Sequence, residues 1–205
     1  MAWKELTAKS FPAAIRELNG ISLRTQEEHY ELYKAYVGKT NEIQKKLDTV
    51  DRTTANQIYS DLRSLRVDLS FAMGGVKNHE IFFAHLGGKG GQPGTKTLEL
   101  INRDFPSYDA WLADFKASGM AARGWVWLAY DHDLQSLTTA VGDAQNTFPV
   151  WNATPIIALD VYEHAYWLDY GRLRAKYIEA FFNNLDWGVV EQNLERALAM
   201  QSVAK

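Results

Sequence analysis

The sequence DVYEHAYWLDY, residues 160–170, mixes charged and aromatic side chains in a way that a solvated segment does not. Asp160 and His164 are four positions apart, so a helical turn, or a strand that ends at Asp160 and then turns, brings both side chains within reach of one ion. A buried carboxylate needs an opposite charge or a metal beside it. The stretch therefore indicates a metal-ligand pair. The alternative is an aromatic core strand whose Asp160 and Glu163 cap the next helix.

Two long helices are predicted before this stretch. Apolar residues recur at three- and four-residue steps over residues 22–50 and again from 53 to about 86. We expect the first helix to be kinked or broken near Gly38. The Gly74-Gly75 pair in the second helix marks a place where another helix or a ligand comes close.

A glycine-rich segment separates these helices from the rest of the chain. Residues 87–94 hold five glycines and a proline and cannot continue a helix, so we predict two domains, 1–90 and 91–205. The second domain is predicted to contain helices over 107–117, 172–185 and 189–200, and strands over 124–131, 136–143 and 154–162. The predicted fold class is α+β, with a long antiparallel helical hairpin followed by an α/β domain that has a short antiparallel sheet of about three strands.

Composition excludes several classes of function. The chain has 22 Lys and Arg against 25 Asp and Glu, a formal net charge of -3, which argues against a nucleic-acid partner. It has no cysteine, so thiolate zinc sites, iron–sulfur clusters and a cysteine nucleophile are excluded and any metal needs His or carboxylate ligands. No stretch approaches 18 apolar residues and the first residues carry charges, so we expect no membrane partner and a cytoplasmic location.

Four blocks of the sequence resemble the iron/manganese superoxide dismutases. DVYEHAYWLDY is similar to the family signature D-x-W-E-H-A-Y, and RLRAKYIEAFFNNLDW (172–187) resembles its R-x-x-Y-I-x-x-F continuation. AMGGVKNHEIFFAHL (72–86) resembles the block G-G-x-x-N-H-x-x-F-W, and GWVWL (124–128) resembles G-W-x-W-L. EEHYELYKAYV (27–37) resembles the first-helix block. The blocks occur in the family's order and cover most of the chain.

The resemblance implies one Mn or Fe ion per chain, held between the two domains by His29, His79, Asp160 and His164. Three imidazoles and one carboxylate suit a redox-active first-row metal and leave a position for water or hydroxide. The implied activity is the dismutation of superoxide, the small-molecule substrate, to O₂ and hydrogen peroxide as the ion cycles between its trivalent and divalent states. The alternative is a metal-binding member of the same fold that does not dismutate.

The resemblance also implies roles for residues around the ion. Gln145 matches the glutamine that hydrogen-bonds the metal-bound solvent in the manganese-type proteins, and Gly75 matches the small residue that leaves room for it. This favours Mn. Trp125, Phe83 and Tyr162 are expected to form an aromatic shell that keeps the site dry, although core packing alone would also explain them.

A further implied role concerns subunit contact. Glu163 matches the residue that reaches across a dimer interface to the metal-ligating His of the partner, and Arg174 matches an arginine near that interface. We therefore expect a homodimer or a dimer of dimers. Without the family, Glu163 is interpreted as a helix N-terminal acid and Arg174 as a surface helix residue.

The sequence departs from the family pattern after the first ligand, which is usually H-x-x-x-H-H-x-x-Y. Tyr33 stands at the position of the channel His, Tyr36 falls one residue short of the gateway Tyr, and Val37 occupies the ungapped position. Trp167 replaces the Tyr that pairs with the channel His across the dimer. A one-residue shift turns a side chain by about 100°, so we expect Tyr36 to serve as the gateway only if the first helix is locally distorted or has lost a residue relative to the family. Tyr33 is otherwise the nearest substitute.

A di-iron protein bridged by carboxylates is rejected. That class needs a Glu three residues before a ligating His. None of the five histidines has one.

Overall fold

The structure is a computed structural model that describes residues 3–146 and 152–203. Its helices are α1 (Leu23–Thr49), α2 (Asp61–Ala84), α3 (Thr95–Asp104), α4 (Tyr108–Ala121), α5 (Trp167–Tyr170), α6 (Arg174–Asn183) and α7 (Trp187–Val203). Its strands are β1 (Trp125–Asp131), β2 (Ser136–Gly142) and β3 (Ala153–Asp160), and a 3-10 turn over Glu163–Ala165 joins β3 to α5. Within this described part of the chain, none of the helices is long and apolar enough to cross a membrane.

The hairpin of α1 and α2 positions half of the site. Ser22 caps α1 by accepting a hydrogen bond from the Thr25 N–H at 3.2 Å. Contrary to the expected break, α1 runs without interruption through Gly38, because one helical glycine costs only about 1 kcal/mol. The second helix begins at Asp61, eight residues later than predicted from its apolar pattern. The Ser60 side chain there accepts from a backbone N–H of the first turn and fixes the start.

The sheet is antiparallel, with the strands in the order β2-β1-β3. Its register places Trp125 opposite Asp160 on one side and opposite Gly142 on the other. Every residue of β1 is buried, as expected for a central strand covered by helices. The α+β class with a three-stranded antiparallel sheet is confirmed.

The core is rich in large aromatic side chains. Trp111, Trp125, Phe82, Phe83 and Phe181 are all fully buried in the main cluster. A smaller cluster lies between α1 and α2. The main cluster draws on both halves of the chain, so the hairpin and the sheet share one hydrophobic core.

The glycine-rich segment lies against the junction of α6 and α7. The N–H groups of Gly88 and Gly90 donate to the carbonyls of Asn184 and Leu185 at 2.9 and 3.1 Å. Gly87 has φ +92°, and a Cβ there would lie 2.1 Å from a backbone oxygen, so only glycine fits. The segment ends the hairpin as predicted, and the division into domains 1–90 and 91–205 stays a prediction. The sequence also missed α3, which follows directly.

Candidate metal centre

Four side chains from four elements of the fold converge on one point. His29 comes from α1, His79 from α2, Asp160 from the end of β3 and His164 from the 3-10 turn. Their candidate ligand atoms all lie within 4.8 Å of one another. The Nε2 atoms of the three histidines lie 3.2, 3.5 and 3.1 Å, in chain order, from Oδ2 of Asp160. The structure thus brings together the four residues that the sequence comparison had singled out.

Of the two geometries considered for Asp160 and His164, the structure shows the second, a strand that ends at Asp160 and then turns. Asp160 is the last residue of β3, and the chain turns within three residues to place His164 over the same oxygen. The Tyr162 N–H donates to Oδ1 of Asp160 at 2.9 Å. Tyr177 donates its hydroxyl to the Asp160 backbone carbonyl at 2.8 Å. The first bond holds the carboxylate so that Oδ2 faces the imidazoles, and the second holds the backbone at Asp160.

The hydrogen bonding of His79 shows that a cation fits the cluster. Nδ1 of His79 lies 2.6 Å from the carbonyl oxygen of Gly75, which can only accept, so Nδ1 carries the proton. Burial lowers the pKa of His79 to about 3, so at pH 7 the ring is neutral and Nε2 presents a lone pair. This buried atom has no hydrogen-bond partner among the described residues. It faces a carboxylate oxygen, and two facing electron pairs are stabilised by a positive ion between them.

Asp160 is the fully buried carboxylate of the site. Burial alone would raise the pKa of Asp160, but attraction and hydrogen bonding from His164, together with those from His29, hold it below the usual range. Burial lowers the pKa of His29. Three nitrogen donors and one oxygen donor without sulfur suit Fe or Mn better than a closed structural zinc site.

Gln145 lies in the second layer of the site and is buried. Its Oε1 accepts from the Trp125 indole N–H at 3.0 Å, and its Nε2 donates to the Tyr36 hydroxyl at 3.3 Å. The Trp125 ring meets the His79 ring edge to face, with 5.2 Å between centroids. Gln145, Trp125 and Tyr36 therefore form one chain of contacts beside the ligands.

The first helix is not distorted at Tyr36, so of the two conditions expected for its gateway role only the loss of a residue relative to the family is left. Tyr36 follows His29 by seven residues in an unbroken α1, which on a regular helix is only about 20° short of two full turns. Both side chains therefore lie on one face, and the Tyr36 ring centroid is 5.5 Å from that of His79. Val37 points instead into the hydrophobic core.

Tyr33 lies one turn from His29 but is engaged elsewhere. Its hydroxyl accepts from the Lys9 N–H at 2.9 Å and donates to Glu80 at 3.1 Å. Burial raises the pKa of Tyr33 to about 12. The structure therefore favours Tyr36 over Tyr33 as the phenol of the site.

The space beside Gly75 is filled by the ring of Tyr36. An added Cβ at Gly75 would lie 2.7 Å from the Tyr36 ring, whereas an added Cβ at Gly74 would lie 2.1 Å from the Gln145 carbonyl oxygen. The predicted close approach at the glycine pair is confirmed, but Gly75 makes room for Tyr36 and Gly74 makes room for Gln145.

The remaining predicted residues surround the histidines or face outward. The Tyr162 ring stacks on His164 at 5.3 Å, and the Phe83 ring lies 5.0 Å from that of His29. Glu163 is exposed at the start of the 3-10 turn, and Trp167 is 51% exposed. Their predicted roles at a subunit interface stay predictions.

Arg174 does not behave as a free surface residue. Its guanidinium donates to the Tyr166 hydroxyl at 3.1 Å and to the Ala122 carbonyl at 2.7 Å. A positive charge is favourable at the C-terminal end of a helix. The Arg174 guanidinium, at the start of α6, lies at that end of α4 and connects the two helices.

Sequence reasoning missed two residues that hold the site. Asn78 donates its side-chain amide to the Gln145 backbone carbonyl at 3.1 Å, across 67 residues of sequence. Tyr177 holds Asp160, as described above. Asn78 directly precedes a ligand in the N-H motif, which is the one signal that could have drawn attention to it; spacing alone does not reveal its contact.

The fold and the site together define a class of protein. One ion, held by three imidazoles and one carboxylate, would lie between a helical hairpin and a small antiparallel sheet, surrounded by aromatic side chains. Such a donor set is typical of mononuclear redox metalloproteins that lack haem.

Comparison with known proteins narrows this class to one family. Residues 93–193 match the family model described as iron/manganese superoxide dismutases, C-terminal domain. The chain is 41% identical over 196 residues to a protein of Aquifex pyrophilus named as an iron superoxide dismutase, which covers 93% of this chain and 92% of the relative. It is 36% identical over 122 residues to a protein of Haloarcula marismortui named as a manganese superoxide dismutase, covering 59% and 60%. This chain belongs to the iron/manganese superoxide dismutase family, as its sequence blocks predicted.

Proposed function

We propose that this chain dismutates superoxide to O₂ and hydrogen peroxide, using one redox-active metal ion held by His29, His79, Asp160 and His164. The observation that carries the proposal is the buried convergence of three imidazoles on one carboxylate oxygen, within 4.8 Å, in a chain of this family. The bound ion supplies one-electron chemistry by alternating between its trivalent and divalent states.

Asp160 sets the charge of the site. As a buried anion it offsets one positive charge of the ion, so the net charge that the core must accommodate is smaller. The carboxylate is oriented before the ion arrives, because its other oxygen accepts from the Tyr162 N–H. A neutral side chain at this position would leave more charge uncompensated.

Tyr36 and Gln145 are placed to supply protons to the substrate. Burial raises the pKa of Tyr36, so its hydroxyl stays protonated at neutral pH and can donate to an anionic substrate without adding a negative charge. The Gln145 amide fixes the hydroxyl at 3.3 Å and is itself held by Trp125. Tyr36 is partly exposed, which gives it access to solvent protons.

Aromatic side chains limit the access of water to the metal ligands. Trp125 and Phe83 are fully buried against the ligand rings, and Tyr162 covers His164. The His164 side chain is 30% exposed while the other three ligands are buried. A small anion would therefore enter on the side of His164 and Tyr36.

We propose Mn as the physiological ion and Fe as the alternative. Gln145 supports Mn, because a glutamine from this segment is what the manganese-type arrangement implies. Iron has its own support, since the relative from Aquifex pyrophilus that covers 93% of the chain is named as an iron enzyme. Metal analysis of protein from its native host separates the two.

Reconstitution with each metal tests the proposed function. Protein loaded separately with Mn and with Fe is assayed for superoxide consumption at matched metal occupancy. We expect at least one form to dismutate superoxide catalytically. Full occupancy without turnover in both forms would instead establish the alternative, a metal-binding member of the fold with an altered channel.

A further inference from the structure

One turn of α2 carries three residues that contact the partners of the Tyr36–Gln145 hydrogen bond. We propose that Gly74, Gly75 and Asn78 are positioning residues that set this bond. The inference rests on the proposed function for its consequence, and on contacts between described residues for its geometry.

Gly75 provides the seat for the Tyr36 ring. A Cβ at Gly75 would lie 2.7, 2.8 and 2.9 Å from three carbon atoms of that ring, closer than real Cβ contacts. The ring therefore lies flat on the helix backbone, where any side chain would push it away. Tyr36 is a side chain that can move, so a substitution at Gly75 displaces the phenol and leaves the backbone intact.

Gly74 and Asn78 provide the seat for Gln145. A Cβ at Gly74 would lie 2.1 Å from the Gln145 carbonyl oxygen, so the main chain passes directly over α2. The Asn78 side-chain amide donates to the same oxygen at 3.1 Å. Asn78 is buried and lies one helical turn from Gly74, on the same face. The backbone at Gln145 is thus held by its close packing against Gly74 and by the hydrogen bond from Asn78.

Both partners of the Tyr36–Gln145 hydrogen bond therefore pack against α2, the helix that also carries His79. The Gly75 carbonyl orients that ligand by accepting from Nδ1 at 2.6 Å. A change at Asn78 or Gly75 therefore moves the Tyr36–Gln145 bond relative to the ion while the ligands stay in place. Because hydrogen bonds around a metal tune its potential, the reduction potential should respond.

The first test is a double-mutant cycle on the metal-loaded protein. Asn78→Ala should retain the metal and shift the reduction potential. In a Gln145→Leu background the same change should have little further effect, because its route to the ion has been removed. Asn193→Ala is the matched control, since Asn193 also donates its amide to a backbone carbonyl, that of Ile156 at 3.2 Å, away from the site. The control should leave the potential unchanged.

The second test concerns Gly75 and needs no metal for its readout. In a crystal structure of Gly75→Ala, the distance from Tyr36 Oη to Gln145 Nε2 should lengthen beyond about 3.5 Å. Gly38→Ala is the control, because an added Cβ there meets nothing within 4 Å. On the metal-loaded protein, Gly75→Ala and Tyr36→Phe should each change the product-inhibited phase of turnover, and the double variant should resemble the single ones.

The outcomes separate this inference from the proposed function. An unshifted potential in Asn78→Ala, additive shifts in the cycle, or an unmoved Tyr36 in Gly75→Ala overturns the positioning role even when the parent enzyme dismutates superoxide. A parent that binds metal without turnover overturns the proposed function instead. The crystallographic distance still decides the positioning role in that case.

Discussion

At the scale of single residues, the site depends on one carboxylate oxygen shared by three imidazoles. Oδ2 of Asp160 lies 3.1 to 3.5 Å from each Nε2 atom. Among the described residues, Nε2 of His79 has no hydrogen-bond partner. The unfavourable free energy of placing the His79 lone pair against the Asp160 carboxylate is offset when a cation lies between them. Metal binding and local stability are therefore coupled at Asp160.

Asp160→Ala should remove the anionic donor and lower metal occupancy at least tenfold. Elemental analysis of purified protein after dialysis measures the effect. Asp131→Ala is the control, since Asp131 is another buried acid that accepts backbone N–H bonds outside the site. Full Mn or Fe occupancy in Asp160→Ala would show that this ligand assignment is wrong.

Gln145→Leu should keep the metal and change its reduction potential and activity. A hydrogen bond from the Gln145 amide to a bound hydroxide differs in strength from one to bound water. The amide therefore shifts the relative stability of the trivalent and divalent states of the ion. The variant also leaves the Trp125 indole N–H without its acceptor. Potentiometric titration of the loaded protein is the measurement, and an unchanged potential would remove Gln145 from this role.

At the scale of elements, α1 shows what sequence reasoning can and cannot reach. The apolar periodicity predicted both long helices, and the ligand blocks predicted which histidines converge. The role of Tyr36 could only be predicted conditionally, because the motif was compared position by position along the sequence. Its actual place follows from helix geometry, in which seven residues return nearly to the same face. Asn78 was missed because its contact with Gln145 depends on tertiary packing.

Tyr36→Phe should alter the slow, product-inhibited phase at saturating superoxide, whereas Tyr33→Phe should not. Only Tyr36 is bonded to Gln145, while Tyr33 is bonded to Lys9 and Glu80. Tyr33→Phe should instead lower the free energy of unfolding by about 1 kcal/mol. Stopped-flow kinetics and urea denaturation of both variants measure the two effects. If neither variant changes the inhibited phase, another residue supplies the gateway.

His85 joins the end of α2 to β3 and should make the fold sensitive to acid. Its Nε2 accepts from the Ala158 N–H at 3.0 Å, and burial lowers its pKa to about 3. The unfolded chain, with a histidine pKa near about 6.5, binds a proton that the folded chain does not. The resulting contribution to stability is present above pH of about 6.5 and is lost as the pH falls toward about 3.

His85→Gln should weaken this pH dependence, because the amide oxygen can accept from Ala158 without titrating. From pH 7 to 4.5, the parent should lose on the order of 2 kcal/mol more than the variant. Urea unfolding of metal-loaded protein at both pH values measures the difference. His132→Gln, at the turn between β1 and β2, is the control and should follow the parent. Equal losses in parent and His85→Gln would exclude this role.

At the scale of the whole molecule, one side of the described chain presents apolar and acidic residues around the metal site. Trp167 and Leu168 are 51% and 50% exposed on α5, and Glu163 is exposed immediately before His164. Exposed large apolar side chains beside a functional site are typical of interaction surfaces. A symmetric dimer is the commonest assembly for such a surface. We therefore expect this face to pair with a second copy of the chain.

Glu163→Ala should weaken both association and activity. In a symmetric pair the Glu163 carboxylate of each subunit would accept from the free ring nitrogen of the partner's His164, which fixes the orientation of that ligand. Sedimentation of the parent at micromolar concentration should give a dimer or a dimer of dimers, and the variant should dissociate at lower concentration. Glu179→Ala is the control, because Glu179 is an exposed acid paired with Lys116 within its own chain. A fully active monomer would contradict the pairing, since a ligand oriented across an interface cannot be oriented without it.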